Sequence, residues 1–247
     1  METIGVPYHQ DEFIPGFDVG VPYAHEVTVG LPDGGAWQRM GVLYEELARV
    51  VSEHALPVLV ISGACTTSLG ILAGLQRAGR EPGIVWMDAH GDFNTEATTP
   101  SGYLGGMPLA LAVGVGTLTL PRSLGLRPVP TSRVALVGAR DIDPGERVLL
   151  EQSVIEQRGL SVSPIDLPDG DLYLHIDIDI CDPTVVPDLL FPAPGGPGLD
   201  TVIDVVRRLM TTGRVVAVDL AATWHHNGPA ASTQRQVMRR MKDAVTG

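Results

Sequence analysis

Only two cysteines, Cys65 and Cys181, occur among 247 residues. That excludes a disulfide framework and fits a reducing compartment. Basic residues are scarce as well: 17 Lys and Arg face 29 Asp and Glu, a net charge of -12. Such an acidic chain is poorly suited to bind nucleic acid or an anionic membrane surface. No apolar run approaches the ~20 residues of a membrane-spanning helix. The start, METIGVPYHQDEF, has neither the basic cluster nor the apolar stretch of a secretory leader. The expectation is a cytoplasmic protein whose partners include no nucleic acid and no membrane. What is present is ordinary for a globular chain. Hydrophobic residues make up 44%, and one core can use this length, so a single domain over residues 1–247 is expected.

Five short runs rich in Val, Ile and Leu are bounded by Gly, Pro or charge: LPVLVI (56–61), GIVWMD (83–88), RVALVG (133–138), LYLHIDID (172–179) and VVAVDLA (215–221). Near-continuous apolar runs of this length fit strands covered on both faces. ETIGVP at the start is a candidate sixth strand. Met40, Leu43, Leu47, Val50 and Val51 recur at helical spacing, and further helices are predicted over 67–78, 105–115, 145–158, 199–211 and 231–243. This alternation predicts an α/β domain with a mostly parallel sheet. The stretch 183–200 carries five prolines. It reads as a long loop after a strand end, and therefore as part of a site rim.

In an open α/β sheet, ligands bind beyond the carboxyl ends of the strands, and the acidic residues collect there. Asp88, His90 and Asp92 close one run; Asp177, Asp179 and Asp182 close another. Alternation puts Asp88, His90 and Asp92 on one side while the chain stays extended, and Asp177 with Asp179 likewise. Carboxylates converging without basic partners repel one another, and burying them unpaired is costly. Divalent cations remove that cost. Carboxylate, imidazole and water together suit Mn²⁺, with Zn²⁺, Fe²⁺, Co²⁺ and Ni²⁺ as competitors. A lone DxD at a strand end is often only a turn; two such clusters, one with an interleaved His, point to metal.

These residues also resemble the signatures of a known family. DAHGDFNTEATTPSGYLGGMP (88–108) is similar to the DAHxD signature and substrate loop of the arginase–agmatinase (ureohydrolase) family. HIDIDICDP (175–183) resembles its second signature and ARDIDPGE (139–146) a third turn, in the arginase form. The resemblance implies a three-layer α/β/α fold, guanidino hydrolysis with two bridged Mn²⁺ ions, and a homotrimer or homohexamer. It further implies that Asp88 and Asp177 bridge both metals, that Asp92 completes one set, and that His90 and Asp179 serve the other. Asp92 also accepts a hydrogen bond from the nucleophile. The first metal's remaining ligand, a His in the family, falls on Cys65 in ISGACTTSLG (61–70). A free cysteine is ordinarily a small buried hydrophobe; here it could instead supply a soft thiolate ligand. Cys181 has no counterpart among the ligands and reads as packing.

For substrate, the resemblance implies that Asp143 accepts from an α-ammonium and that Asn94 and Ser101 donate to a carboxylate, and hence a small amino acid with a guanidino-like group. One departure bears on the α-end of the substrate and two on the reaction itself. Tyr103 stands where the family has Asn, Gly105 stands where it has its proton-shuttling His, and Ala222 falls at the position of the carboxylate that pairs with guanidinium. His225 and His226 are close by in sequence, and His225 is a candidate catalytic group. The departures resemble the branch of the family acting on N-omega-hydroxy-L-arginine, whose hydroxyguanidine is less basic than a guanidine and needs less of a proton shuttle. The leading expectation is thus a dinuclear manganese hydrolase of a guanidino or hydroxyguanidino amino acid such as N-omega-hydroxy-L-arginine or L-arginine. A catalytically impaired binding or assembly protein and a hydrolase of another amidine or amide remain alternatives.

Overall fold

The computed structural model describes residues 1–226 and 228–247. In chain order come β1 (Glu2–Val6), a small hairpin of β2 (Tyr8–His9) and β3 (Glu12–Phe13), β4 (His25–Glu26), α1 (Ala36–Glu53), β5 (Val58–Ser62) and α2 (Ser68–Arg77). β6 (Gly83–Met87), α3 (Pro108–Ala112), α4 (Thr119–Ser123), β7 (Val134–Val137), α5 (Pro144–Gln152) and β8 (Glu156–Arg158) follow. β9 (Leu172–Asp177), α6 (Leu199–Met210), β10 (Val215–Ala221) and α7 (Ala231–Thr246) complete the order. One eight-stranded sheet runs β4-β1-β5-β10-β9-β6-β7-β8, and every neighbouring pair is parallel.

The sheet separates two apolar layers because side chains alternate across it. Val58, Val60, Ile84, Trp86, Leu136 and Tyr173 meet α1 and α2 on one face. Leu59, Ile61, Val85, Met87, Leu174 and Leu220 meet α6 and α7 on the other. This is the three-layer α/β/α arrangement, and it explains why the central runs are apolar at every position. The helical period read from Met40 to Val51 is the buried stripe of α1.

Two predicted helices are shorter than expected. The one over 145–158 stops at Gln152, where the Ser153 hydroxyl bonds back to the Leu150 carbonyl at 2.7 Å. Its last residues, Glu156–Arg158, form β8 at the sheet edge. An edge strand half in solvent need not be apolar, so EQR carried no strand signal. The one over 105–115 splits into a 3-10 turn at Leu104–Gly106 and α3, which starts on Pro108 and gives way before Gly114 at φ +86°.

Candidate metal centre

The carboxyl ends of β5, β6, β9 and β10 are neighbours in the sheet, and a cavity of about 310 Å³ opens above them. Its lining includes Cys65, His90, Asp92, Asn94, Ser101 and Asp143. Asp177, Asp179 and Thr223 also line it. No Lys or Arg lines it among the described residues.

Asp88 follows β6 directly, and its carboxylate caps the turn by accepting the His90 amide at 2.7 Å and Trp86 Nε1 at 3.2 Å. The backbone then leaves the extended form. Asp92 has φ +48°, in the left-handed region, where Asp is among the few tolerated residues. The Asp92 carbonyl accepts from the Leu109 and Ala110 amides, so the start of α3 fixes this turn. Asp179 also arrives by a turn and not by strand alternation: Ile178–Ile180 is one 3-10 turn, capped by Asp177 Oδ1 accepting the Asp179 amide at 2.9 Å. Turns, and not the alternation of an extended strand, therefore bring these carboxylates together.

Two groups of ligand atoms result, each with members within 4.8 Å of one another: Cys65, Asp88, Asp92 and His175 in one, and Asp88, His90 and Asp179 in the other. They share Asp88. Asp177 belongs to neither; its Oδ2 accepts the Cys65 thiol at 2.8 Å, and its Oδ1 accepts the Thr223 hydroxyl. His90 Nδ1 lies 3.1 Å from Asp179 and 3.3 Å from Asp88.

Without a cation the electrostatics of this floor are strained. Burial, then the charge of Asp88, pushes Asp92 well above the usual carboxylate range. Burial and Asp177 do the same to Asp179, and burial and Asp88 raise Asp177 to about 6. Burial would raise Asp88 too, but the His90 hydrogen bond and charge outweigh it and hold Asp88 low. Burial disfavours charged His90, yet its bonds to Asp179 and Asp88 push it up to about 12. Burial, then Asp177, Asp92 and Asp88, drives the Cys65 thiol well above its ordinary value. A bound cation inverts this logic for carboxylate and thiol alike. The buried Asp92 Oδ2 and His175 Nε2 have no hydrogen-bond partner among the described residues, as expected of donor atoms that fit metal ions.

The rim is built from loops. Asn94 Nδ2 donates to Asp143 at 2.9 Å, and Asn94 Oδ1 accepts from Thr98, so both amide ends are held. Glu146, the last residue of the RDIDPGE turn, accepts the Phe93 amide at 2.7 Å and the Asp143 amide at 3.2 Å. It ties the two signature loops together and caps α5. Gly91 makes room for it: a Cβ there would lie 2.7 Å from the Glu146 carboxyl carbon. Ser101 is exposed at the mouth, where it accepts the Tyr103 amide. The proline-rich stretch crosses the end of β10 through the Leu190 amide and Thr223 carbonyl, placing Leu190, Phe191 and Pro192 on the rim. The Arg140 guanidinium clamps its base through the carbonyls of Asp179, Ile180 and Ala193.

Other sequence-predicted residues sit elsewhere. His225 is exposed, gives its amide to Asp188, and does not line the cavity; the turn after β10 carries it past the site. Ala222 is buried in the apolar layer with α6 and α7, while Thr223 faces the cavity. Cys181 packs in the same apolar layer. Gly105 lies under the Tyr103 ring, and a Cβ on it would come within 2.3 Å of a ring carbon. The Tyr103 hydroxyl reaches His9 Nε2 at 3.1 Å, and His9 Nδ1 meets the Gly63 carbonyl at 2.9 Å. The carbonyl can only accept, so Nδ1 carries the proton and the tyrosine donates to Nε2.

The fold and this floor of acids define the class. The Arginase family profile matches residues 10–239, and the chain belongs to that family. Over 231 residues it is 32% identical to the N(omega)-hydroxy-L-arginine amidinohydrolase of Streptomyces lavendulae, covering 90% of this chain and 80% of that one. To the arginase of Bacillus subtilis it is 33% identical over 169 residues, covering 62% of this chain and only 56% of the relative. The arginase of Bacillus caldovelox superposes over 100% of this chain and 97% of its own with a TM-score of 0.84 at 22% identity, a likeness of fold.

Proposed function

We propose that the chain is a dinuclear metal-dependent hydrolase that cleaves a C–N bond of a hydroxyguanidino or guanidino amino acid, with N-omega-hydroxy-L-arginine favoured over L-arginine. The observation that carries this reading is the pair of ligand groups sharing Asp88 at the floor of a cavity whose rim presents Asn94, Ser101 and Asp143. Cys65, Asp88 and Asp92 would hold one ion, and Asp88, His90 and Asp179 the other; Asp177, which accepts from Cys65 and Thr223, stands beside the first set. Bound divalent cations would supply neutralisation of the buried carboxylates and a water acidified toward neutral pKa.

The chain's own groups do the rest. Asp92 Oδ2, buried and unpartnered, accepts the hydrogen bond of the attacking water. Asp143, held by Asn94, receives the α-ammonium, and Ser101 at the mouth donates to the α-carboxylate. Tyr103 and Phe191, ring centroids 4.5 Å apart, wall off the side chain and exclude water. Water adds at the guanidino carbon, the bond from that carbon to the side-chain nitrogen breaks, and this nitrogen takes a proton. Hydroxyurea leaves from the hydroxyguanidine and urea from the guanidine. Two features favour the less basic hydroxyguanidine. The Tyr103 ring fills the space of a larger residue at 105, and the end of β10 offers the cavity Thr223 in place of a carboxylate.

Manganese as the ion, a cytoplasmic location and a homotrimer or homohexamer belong to the same reading. The test is product release from Mn²⁺-loaded protein given N-omega-hydroxy-L-arginine, L-arginine or agmatine. Hydroxyurea in excess of urea supports it. No product with two ions bound would replace it with the impaired binding protein, for which Gly105 and Tyr103 speak.

A further inference from the structure

His175 lies inside β9, two residues before Asp177 and on the same face of the sheet. It is fully buried. Its ring stacks on the Trp86 indole with centroids 3.7 Å apart. Its Nδ1 lies 3.1 Å from Asp219 Oδ2. Asp219 is fully buried too, and its other oxygen accepts from Ser62 Oγ at 3.0 Å. A carboxylate on Nδ1 fixes the tautomer: Nδ1 keeps the proton, and Nε2 presents a bare lone pair. That Nε2 is the atom left without a hydrogen-bond partner. His175 offers one ring nitrogen to the group formed by Cys65, Asp88 and Asp92; with Nδ1 engaged by Asp219, Nε2 is the nitrogen left for it, and Asp92 Oδ2 in the same group is also unpartnered.

We propose that His175 Nε2 is itself a metal ligand, completing with Cys65, Asp88 and Asp92 a four-donor set drawn from the turns after β5 and β6 and from within β9. The inference rests on the metallohydrolase reading above. Asp219, His175 and the ion would then form the carboxylate–histidine–metal arrangement in which the outer carboxylate fixes the tautomer and orientation of the ring. The imidazole enters from within the strand, below the carboxylates. With sulfur and nitrogen in one set, this half of the centre is softer than the Asp88, His90 and Asp179 half, and Zn²⁺ or Co²⁺ suits it better than Mn²⁺. The rival role for His175 is that of an imidazolium screening Asp88. That form would carry a proton on Nε2, and no acceptor stands within hydrogen-bond reach of it among the described residues.

The test is nitrogen NMR of protein labelled with ¹⁵N-histidine and titrated with Zn²⁺, alongside calorimetry of the same titration. The expected result is that one ring-nitrogen resonance from each of His90 and His175 reaches the metal-bound range, that of His175 Nε2 starting from the free-imine range. His90→Gln leaves the His175 signal, so the assignment does not need the His175 variant to fold. His175→Gln loses at least about 10- to 100-fold in affinity for one of two ions, and Asp219→Asn loses less. If only the His90 signal moves while two ions bind, the inference is overturned and the dinuclear reading stands. A doubly protonated His175 in the loaded protein overturns it as well. If calorimetry finds no ion bound, both fall together.

Discussion

The floor of the cavity and its rim are built from opposite materials. On the floor, Asp88, His90, Asp92, Asp177 and Asp179 issue from strand ends or from turns pinned by their own side chains, and all but His90 are almost wholly buried. On the rim, Asn94, Ser101, Tyr103 and Phe191 sit on loops held by side-chain hydrogen bonds and by the Arg140 clamp. The floor can do one thing, which is to bind cations, because buried carboxylates without cations repel one another. The rim is free to vary without unfolding the sheet. Metal chemistry is therefore read from the floor, and substrate preference from Tyr103, Gly105 and Thr223.

The largest effect should come from breaking the floor at the residue both groups share. Asp88→Asn is expected to cost both ions, lowering metal affinity by more than the roughly 10- to 100-fold typical of an outer-shell change, with product formation lost in parallel. Loss of one ion only, by calorimetry, would show that the two sets do not share Asp88. Metal removal comes next. At about 100 times Kd, ligand binding stabilises the folded state by about 2.7 kcal/mol. For a chain of this size that is about 5–10 °C in Tm for each ion, to be read by thermal melts with and without a chelator.

On the rim, Asp143→Ala removes the acceptor proposed for the α-ammonium. A hydrogen bond to a charged group contributes about 1.5–3 kcal/mol, so KM should rise about 10- to 100-fold with kcat little changed. The Tyr103–Gly105 pair sharpens the comparison further. Gly105→His alone should not confer arginine hydrolysis, because its Cβ would fall within 2.3 Å of the Tyr103 ring. Tyr103→Asn with Gly105→His should raise urea release by several-fold beyond the sum of the single changes, a coupling expected of residues in contact. The smallest effect belongs to His225→Ala, which should leave kcat/KM within about twofold, since the exposed ring touches neither region.

Much of this was legible in the sequence, for reasons that also mark its limits. The six inner strands were readable because a parallel sheet buried on both faces leaves no polar alternation. β8, reading EQR at one edge, and β4, reading HE at the other, carry no such pattern. The two metal signatures stood out because acids closing apolar runs have few structural uses. His175 was missed, although its parity with Asp177 was a usable signal; inside an apolar strand it reads as a core residue. Thr223 carries no signal in the sequence, because the register after β10 is set by the Ala222 amide bonding to the Ser62 carbonyl, a tertiary contact. His225 failed for a related reason: closeness in sequence to the site did not mean facing it.

The most direct test of the central claim is ion stoichiometry by calorimetry on metal-stripped protein, wild type beside Asp88→Asn. Two divalent ions per chain, in a titration with Mn²⁺ or Zn²⁺, are expected for the wild type and none held tightly by the variant. A single ion in the wild type, or two in the variant, would contradict a dinuclear centre joined at Asp88.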